Sequence, residues 1–247
     1  MYSFGSGVLI GTRNDIPNAT PVNFGLVQAV TIDEAATVKE LYGQNQRPVA
    51  IGRGTIKTTG KASVARISGL ALASLFYGYT PVAGQLATAF GEAGTGPIPA
   101  TPFQLTVVNT ATFVDDLGVI NAATGIPFTK VAAVPAVGQY SVSAAGIYTF
   151  AAADTGKTVL FSYTYTIPTV GQKFVVKNEL LGFTPTFSAQ FYTTFQGQQV
   201  SVKINNATSS KFSFATKLED FAIPDFEFSC FADAAGNVMT WSFGEAS

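Results

Sequence analysis

The 247-residue chain is 47% hydrophobic and only 12% charged, and its 14 basic and 15 acidic residues give a formal net charge of −1. This composition excludes a disordered chain, which needs low hydrophobicity and high charge, and a coiled coil, which needs charged heptads. The near-zero net charge provides no basic field for nucleic acid, and the lack of histidine excludes His-dependent catalysis and the usual zinc sites.

The high content of apolar residues is not explained by a membrane-spanning helix. No stretch offers the roughly 20 apolar residues of a membrane-spanning helix, and we expect no signal peptide because the first residues show no basic segment followed by an apolar one. The single cysteine, Cys230, excludes an intrachain disulfide and lies in an apolar run, where we expect an inert packed thiol. We therefore expect a protomer whose apolar surface is covered by copies of itself.

In chain order, the first segment with a secondary-structure signal is ambiguous, and the second predicts a helix. Residues 33–41 fit either a short helix or a strand. Residues 68–77 predict one short helix, with Ser68 as its cap and Gly78 as its end. Beyond it the pattern is β-branched and aromatic, and strands are predicted at residues 104–109, 138–143, 147–150 and 157–167.

The last third of the chain is also rich in strand signals. β-Branched or aromatic runs predict strands at residues 172–177, 186–195, 198–205, 210–217 and 238–243. The clean alternation at 199–204 and 211–216 is typical of half-buried antiparallel strands. Hairpin-like turns are predicted at residues 206–210 and 234–237, where Asn, Gly, Ala and Ser cluster. The fold class is therefore mainly β, a β-sandwich or rolled sheet with one short helix.

Charge density marks a domain boundary. Only six charged residues fall between Pro81 and Gly171. The segment from Gly84 to Pro102 is rich in Gly, Ala, Thr and Pro, and this composition predicts a linker or a long surface loop. We expect residues 82–168 to form a small β module inserted into a parent β domain made of residues 1–81 and 169–247, since insertions are tolerated at exposed loop tips.

The sequence contains no recognisable set of catalytic residues, metal ligands or cofactor-binding residues, so we predict that the chain is not an enzyme. The adjacent pairs Asp115–Asp116 and Glu219–Asp220 are interpreted as solvated turn charges, because neighbours on a strand point to opposite faces. Asp225 and Glu227 share one strand face, with Phe226 and Phe228 on the other, but no third metal ligand accompanies them.

Two pairs of aromatic residues at alternate positions along predicted strands allow two interpretations. Tyr163 with Tyr165, or Phe212 with Phe214, could form a platform on which sugars stack, but such stripes more often belong to the core of a sheet. Val159, Phe161, Tyr163 and Tyr165 lie on one face of the predicted strand 157–167, which favours the core.

Charges of opposite sign concentrate in two distant segments. Residues 33–66 carry six basic residues against three acidic ones, whereas residues 218–247 carry six acidic residues and no basic one. The segments could pair within one chain, or the basic edge of one copy could meet the acidic edge of the next and close a ring. The candidate inter-subunit contacts are Arg47, Arg53, Lys57, Lys61, Arg66, Glu219, Asp220, Asp225 and Glu227.

Motifs in three regions resemble those of tailed-bacteriophage tail tube proteins, also called major tail proteins. Glu40-Leu-Tyr-Gly-Gln-Asn-Gln-Arg-Pro-Val-Ala-Ile51, Gly54-Thr-Ile-Lys-Thr-Thr-Gly-Lys61 and Ile67-Ser-Gly69 are similar to the N-terminal half of that family. The stretch from Lys217 to Val238 resembles its C-terminal strands. Similarity to a small module of phage structural proteins is carried by Gly118-Val-Ile-Asn, Gly125-Ile-Pro-Phe-Thr, Gly138-Gln-Tyr-Ser-Val, Gly146-Ile-Tyr-Thr-Phe, Ala153-Asp-Thr-Gly-Lys157 and Ser162-Tyr-Thr-Tyr165. The chain departs from simple tube proteins by its greater length.

The resemblance implies a structural virion protein that forms rings, typically hexameric, stacked into the tail tube through which DNA is ejected. Its implied partners are further copies of itself and also tail sheath, baseplate and tape-measure proteins, with no membrane. Double-stranded DNA would pass through a neutral or acidic lumen without specific binding, because Lys or Arg would hold the phosphates. The implied location is the virion tail, and the host cytoplasm during assembly. The alternatives are another virion component, such as a baseplate or decoration protein, and a carbohydrate-binding β-sandwich.

Overall fold

The computed structural model describes residues 5–244 and divides the chain into two compact units. The discontinuous unit consists of the chain up to Pro81 and from Phe174 onward, and the inserted unit is Val82–Lys173. The structure is mainly β with several antiparallel sheets and one short helix, which confirms the predicted fold class.

The strands follow one another along the chain with few helical residues between them. They are β1 (Val8–Arg13), β2 (Val22–Asn23), β3 (Gly25–Tyr42), β4 (Pro48–Ile67), β5 (Val82–Ala93), β6 (Gln104–Thr106), β7 (Phe113–Asn121), β8 (Thr129–Lys130), β9 (Gln139–Val142), β10 (Ile147–Phe150), β11 (Val159–Lys173), β12 (Thr186–Phe195), β13 (Gln198–Ser213), β14 (Asp225–Phe231) and β15 (Met239–Phe243). The ambiguous segment 33–41 is part of β3 and is therefore a strand.

The discontinuous unit contains one eight-stranded antiparallel sheet in the order β2-β1-β12-β13-β14-β4-β3, with β15 also paired to β13. Strand β12 occupies one edge of β13. Strands β14 and β15 share the other edge, where β14 pairs with residues 206–213 and β15 with residues 200–204. The turn predicted at 234–237 is present, and the Asp233 carboxylate accepts bonds from the amides of Ala235 and Asn237. It joins two strands in line along one edge, so it is not a hairpin turn.

The hairpin turn predicted at residues 206–210 is wrong. Strand β13 runs without interruption through this segment, with only a register shift between Ser209 and Lys211. Ala207 is paired on both sides, to Phe187 of β12 and to Cys230 of β14, so two neighbouring strands hold extended a segment whose residues favour a turn. Residues 174–177, predicted to continue a strand, have left the sheet.

The predicted helix is confirmed at residues 69–76. Its first turn, Gly69–Ala71, is α-helical and is followed by a π-helical turn, Leu72–Phe76. Ser68 caps it by accepting a hydrogen bond from the Ala71 amide at 3.4 Å, and Gly78 follows with φ +74°. Among residues 5–244, no helix has the length and apolarity that crossing a membrane would need.

The core of the discontinuous unit is aromatic. Phe24, Phe187, Phe226 and Phe228 are buried, and the ring centroids of Phe24 and Phe226 lie 5.0 Å apart in an edge-on arrangement. Leu75 of the helix is fully buried in the same cluster, so the helix covers one side of the sheet.

The inserted unit has its own core and its own sheets, of order β6-β10-β9-β8 and β5-β11-β7. Tyr148, Phe161 and Tyr163 are fully buried in it. Its C-terminal boundary lies at Lys173 and not at residue 168, because β11 continues past Pro168 and pairs Lys173 with Val82. Within it the predicted strand 147–150 is β10, and the predicted strands 104–109 and 138–143 are shorter than expected.

Candidate assembly interface

The β3–β4 hairpin extends well beyond the sheet that it belongs to. Strand β4 pairs with β14 only from Thr58 to Ser63, and within the described chain residues 48–57 pair with β3 alone. At about 3.3 Å per residue, these ten residues add roughly 30 Å of two-stranded ribbon. Nearly all of their side chains are exposed. An isolated two-stranded ribbon is marginal in water, so this arm is a candidate for contact with another chain.

One face of the arm is an extension of the core side of the sheet. Ile32 packs against the core and lies across from Gly60, and alternation along β3 carries the same face outward through Ala36 to Val38. Glu40 is paired with Ile51, which places Ile51 on that face as well. Val38 and Ile51 are more than half exposed. Ile56, the exposed partner of Ala36, lies on this face too, and so do two charged residues, Glu40 and the Val38 partner Arg53. Exposed apolar side chains therefore continue along the core-facing side after the core has ended, with charged side chains between them.

The sheet that carries the arm is open. Among residues 5–244 its outermost strands are β2 and β3, and β15 is paired only to β13. Open strand edges present unpaired N–H and C=O groups that another chain can pair with.

The candidate contact residues divide into two groups. Within the part of the chain that the structure describes, Arg47, Arg53, Lys57 and Arg66 are exposed and form no ion pair. Glu219 is exposed in the loop between β13 and β14 and likewise has no ion-pair partner there.

The remaining candidates pair within the chain, and one of these pairs, Lys61 with Asp225, joins the basic segment 33–66 to the acidic segment 218–247. The Lys61 Nζ lies 2.8 Å from the Asp225 carboxylate, and Lys211 lies 3.5 Å from Glu227. The bond from Lys61, with a second from the Ser63 hydroxyl at 2.6 Å, lowers the pKa of Asp225. Asp220 is bound by Lys217 at 3.2 Å. These acidic residues are already neutralised by their neighbours, so only the unpaired group remains as a candidate for contacts between copies.

Asp225 and Glu227 lie on one face of β14 with Phe226 and Phe228 on the other, as the alternation predicted. Each carboxylate is bound by a lysine from a neighbouring strand. Within residues 5–244, no three acidic or cysteine side chains converge as metal ligands would.

The interpretation of Asp115 and Asp116 as two solvated turn charges is wrong for Asp116. A register shift in β7 between Gly118 and Asp116 brings Asp116 opposite Tyr163, on the core side. Its side chain is 2% exposed and accepts hydrogen bonds from Tyr140 at 2.7 Å and Tyr148 at 2.9 Å. The Lys130 Nζ lies 3.0 Å away and the Gly118 amide 3.1 Å away.

These bonds decide the ionisation of the buried carboxyl. Burial alone would raise the pKa of Asp116, but the bonds from Tyr140, Lys130, Tyr148 and Gly118 outweigh it and the pKa is lowered. Burial and the nearby carboxylate raise the pKa of both tyrosines. The only sequence signal for this network was that two tyrosines fell on predicted strands, where a buried hydroxyl needs a partner.

The aromatic stripes belong mainly to the cores. Tyr163 is fully buried, and its hydroxyl donates to Glu92 at 2.7 Å and accepts from the Asn109 amide group at 2.9 Å. Phe212 packs partly buried against the core, whereas Phe214 is exposed, so the two rings form no common platform. Burial raises the pKa of Cys230 to about 11, which agrees with an inert thiol.

Comparison of the sequence with models of known protein families finds no match, and a search of curated proteins finds none either.

Proposed function

We propose that this chain is a structural virion protein that assembles into rings and stacks them as the tail tube of a bacteriophage, forming the conduit for DNA ejection. The observation that carries the proposal is the β3–β4 arm, which continues the core side of an open sheet and exposes Val38, Ile51 and Ile56 on that face. A chain built this way is completed by neighbouring copies, which cover these apolar side chains and pair with the free strand edges.

The motif resemblance supplies the kind of assembly. The quoted stretch from Glu40 to Ile51 forms the outer end of the arm, so the residues that resemble a tube protein are also the residues that protrude. Closure of the strands of successive copies into one continuous sheet would remove the open edges, as a tube wall requires. Tail sheath, baseplate and tape-measure proteins are proposed as the further partners.

Negative-stain electron microscopy of the purified chain tests the proposal. We expect rings or tubes of uniform width. Val38→Lys combined with Ile51→Lys should reduce assembly strongly, because both substitutions replace an exposed apolar side chain of the arm by a charged one that is costly to bury.

The matched control is Ala123→Lys combined with Ala145→Lys, which adds the same two charges to exposed turns of the inserted unit. It should assemble like the unchanged protein. A monodisperse monomer at high concentration, or equal behaviour of the two variants, would contradict the proposal.

A further inference from the structure

The register of the sheet places two exposed regions of the discontinuous unit at opposite ends. At one end, Asp225 of β14 is paired with Ser213 of β13 on one side and with Ser63 of β4 on the other. The loop of residues 214–224 and the segment 174–185, which leads into β12, emerge at this end. The turn of the β3–β4 arm, residues 43–47, lies at the other end of the sheet, beyond the part of β4 that pairs with β14. The two regions cannot meet within one chain.

Large apolar side chains are exposed at both ends. Leu180, Leu181, Leu218 and Phe221 of the loop end are each more than four-fifths exposed. Leu41, Tyr42, Val49 and Ile51 of the arm are each more than half exposed. Exposed apolar groups collected in this way mark an interaction surface more often than a chance feature.

The charges of the two ends are complementary. Residues 38–57 of the arm carry Lys39, Arg47, Arg53 and Lys57 against a single acid, Glu40. The loop end carries Glu179, Glu219 and Asp220 against Lys177 and Lys217. Because Lys217 binds Asp220, the acids left for another partner are Glu179, which accepts a bond from the Tyr79 hydroxyl, and Glu219. Lys177 also has no ion pair among the described residues, so the loop end is left with a small acidic excess opposite a strongly basic arm.

We infer that the arm of one copy docks on the loop end of a second copy, so that Arg47 and Arg53 face Glu179 and Glu219 while the apolar groups of both ends pack together. The inference rests on the proposed self-assembly and names the surface that receives the arm. Because the two surfaces differ, the contact is heterologous and repeats head to tail.

A charge exchange tests this contact. The acidic-arm variant is Arg47→Glu with Arg53→Glu, and the basic-loop variant is Glu179→Arg with Glu219→Arg. Each alone opposes like charges, so pelleted assemblies should fall by about ten-fold or more. An equimolar mixture pairs each altered end with an opposite one, so assembly should return with the two variants alternating.

Lys203→Glu is the matched control, because Lys203 is exposed on β13 away from both ends. It should assemble normally, and circular dichroism checks that every variant is folded. If the basic-loop pair is unfolded, Glu219→Arg alone replaces it with a smaller expected loss.

The two proposals fail differently. If the unchanged protein forms no assembly, the proposed function fails. If it assembles and the acidic-arm variant assembles equally well, or the mixture does not recover, the docking contact is overturned while self-assembly stands.

Discussion

At the scale of the residue, the least expected feature is a carboxylate that holds two tyrosines. Asp116 ties β7 to β9 and β10 of the inserted unit through the hydroxyls of Tyr140 and Tyr148. A buried charge is tolerated only where such bonds compensate its loss of water. Its exposed neighbour Asp115 has the same chemistry and makes no such connection to the tyrosines.

Asp116→Asn should destabilise the inserted unit by about 1.5–3 kcal/mol at pH 7, the range for a hydrogen bond to a charged group. The folded state lowers the pKa of Asp116, so its stabilisation is present above the unfolded value near pH 4 and is lost as the pH falls through the folded pKa. The difference between the two proteins should therefore shrink at about pH 3. Thermal melting followed by near-ultraviolet circular dichroism measures it.

Asp115→Asn is the control for this prediction and should change stability by less than about 0.5 kcal/mol, as exposed sites do. An effect of equal size at the two positions, or a difference that persists unchanged in acid, would contradict the role assigned to Asp116.

At the scale of the element, β4 serves two environments. From Thr58 to Ser63 it is a central strand between β3 and β14, and before Thr58 it is one half of a free arm. Two glycines of this strand show how differently the two parts are packed. A Cβ on Gly60 would collide with the fully buried ring of Phe228, whereas a Cβ on Gly52 would meet only the Lys39 carbonyl oxygen, at 4.0 Å.

Gly60→Ala should therefore cost about 1–3 kcal/mol of folding free energy, the usual penalty of overpacking a core. Gly52→Ala should be close to neutral, since its Cβ meets nothing closer than ordinary contact distance. Urea unfolding of both variants measures the difference. Equal midpoints for the two would show that the ring of Phe228 moves aside freely.

At the scale of the whole molecule, two cores share no residue. One is built around Phe187 and Phe228, the other around Tyr148 and Phe161. Each has its own sheets, and the chain enters and leaves the inserted unit through adjacent strands β5 and β11. Separate cores allow separate unfolding.

Calorimetry should therefore resolve two transitions. Tyr163→Ala removes a buried ring, costs about 3–5 kcal/mol, and should lower only one of them, by roughly 10 °C or more. Gly60→Ala should lower only the other. Both are measured in the Val38→Lys, Ile51→Lys background, so that self-association does not add stability. A single transition shifted by both substitutions would show that the units unfold together.

Local patterning by itself determined the class of fold, several element positions and the two-part organisation. β-Branched and aromatic runs marked the strands at residues 147–150 and 186–195, and a capping serine with a following glycine marked the helix, because these signals act over a few residues. The same signals erred at residues 206–210, where pairing on both edges keeps the backbone extended.

Only the tertiary structure decided which charges are free and which are bound. Lys61 and Asp225 are far apart in sequence and adjacent across β4 and β14, whereas Arg47 and Arg53 project on an arm that pairs only with itself within residues 5–244. A one-residue register shift turned Asp116 into the core. Strand register depends on contacts distant in sequence, so composition and periodicity state what the residues are and not which of them meet.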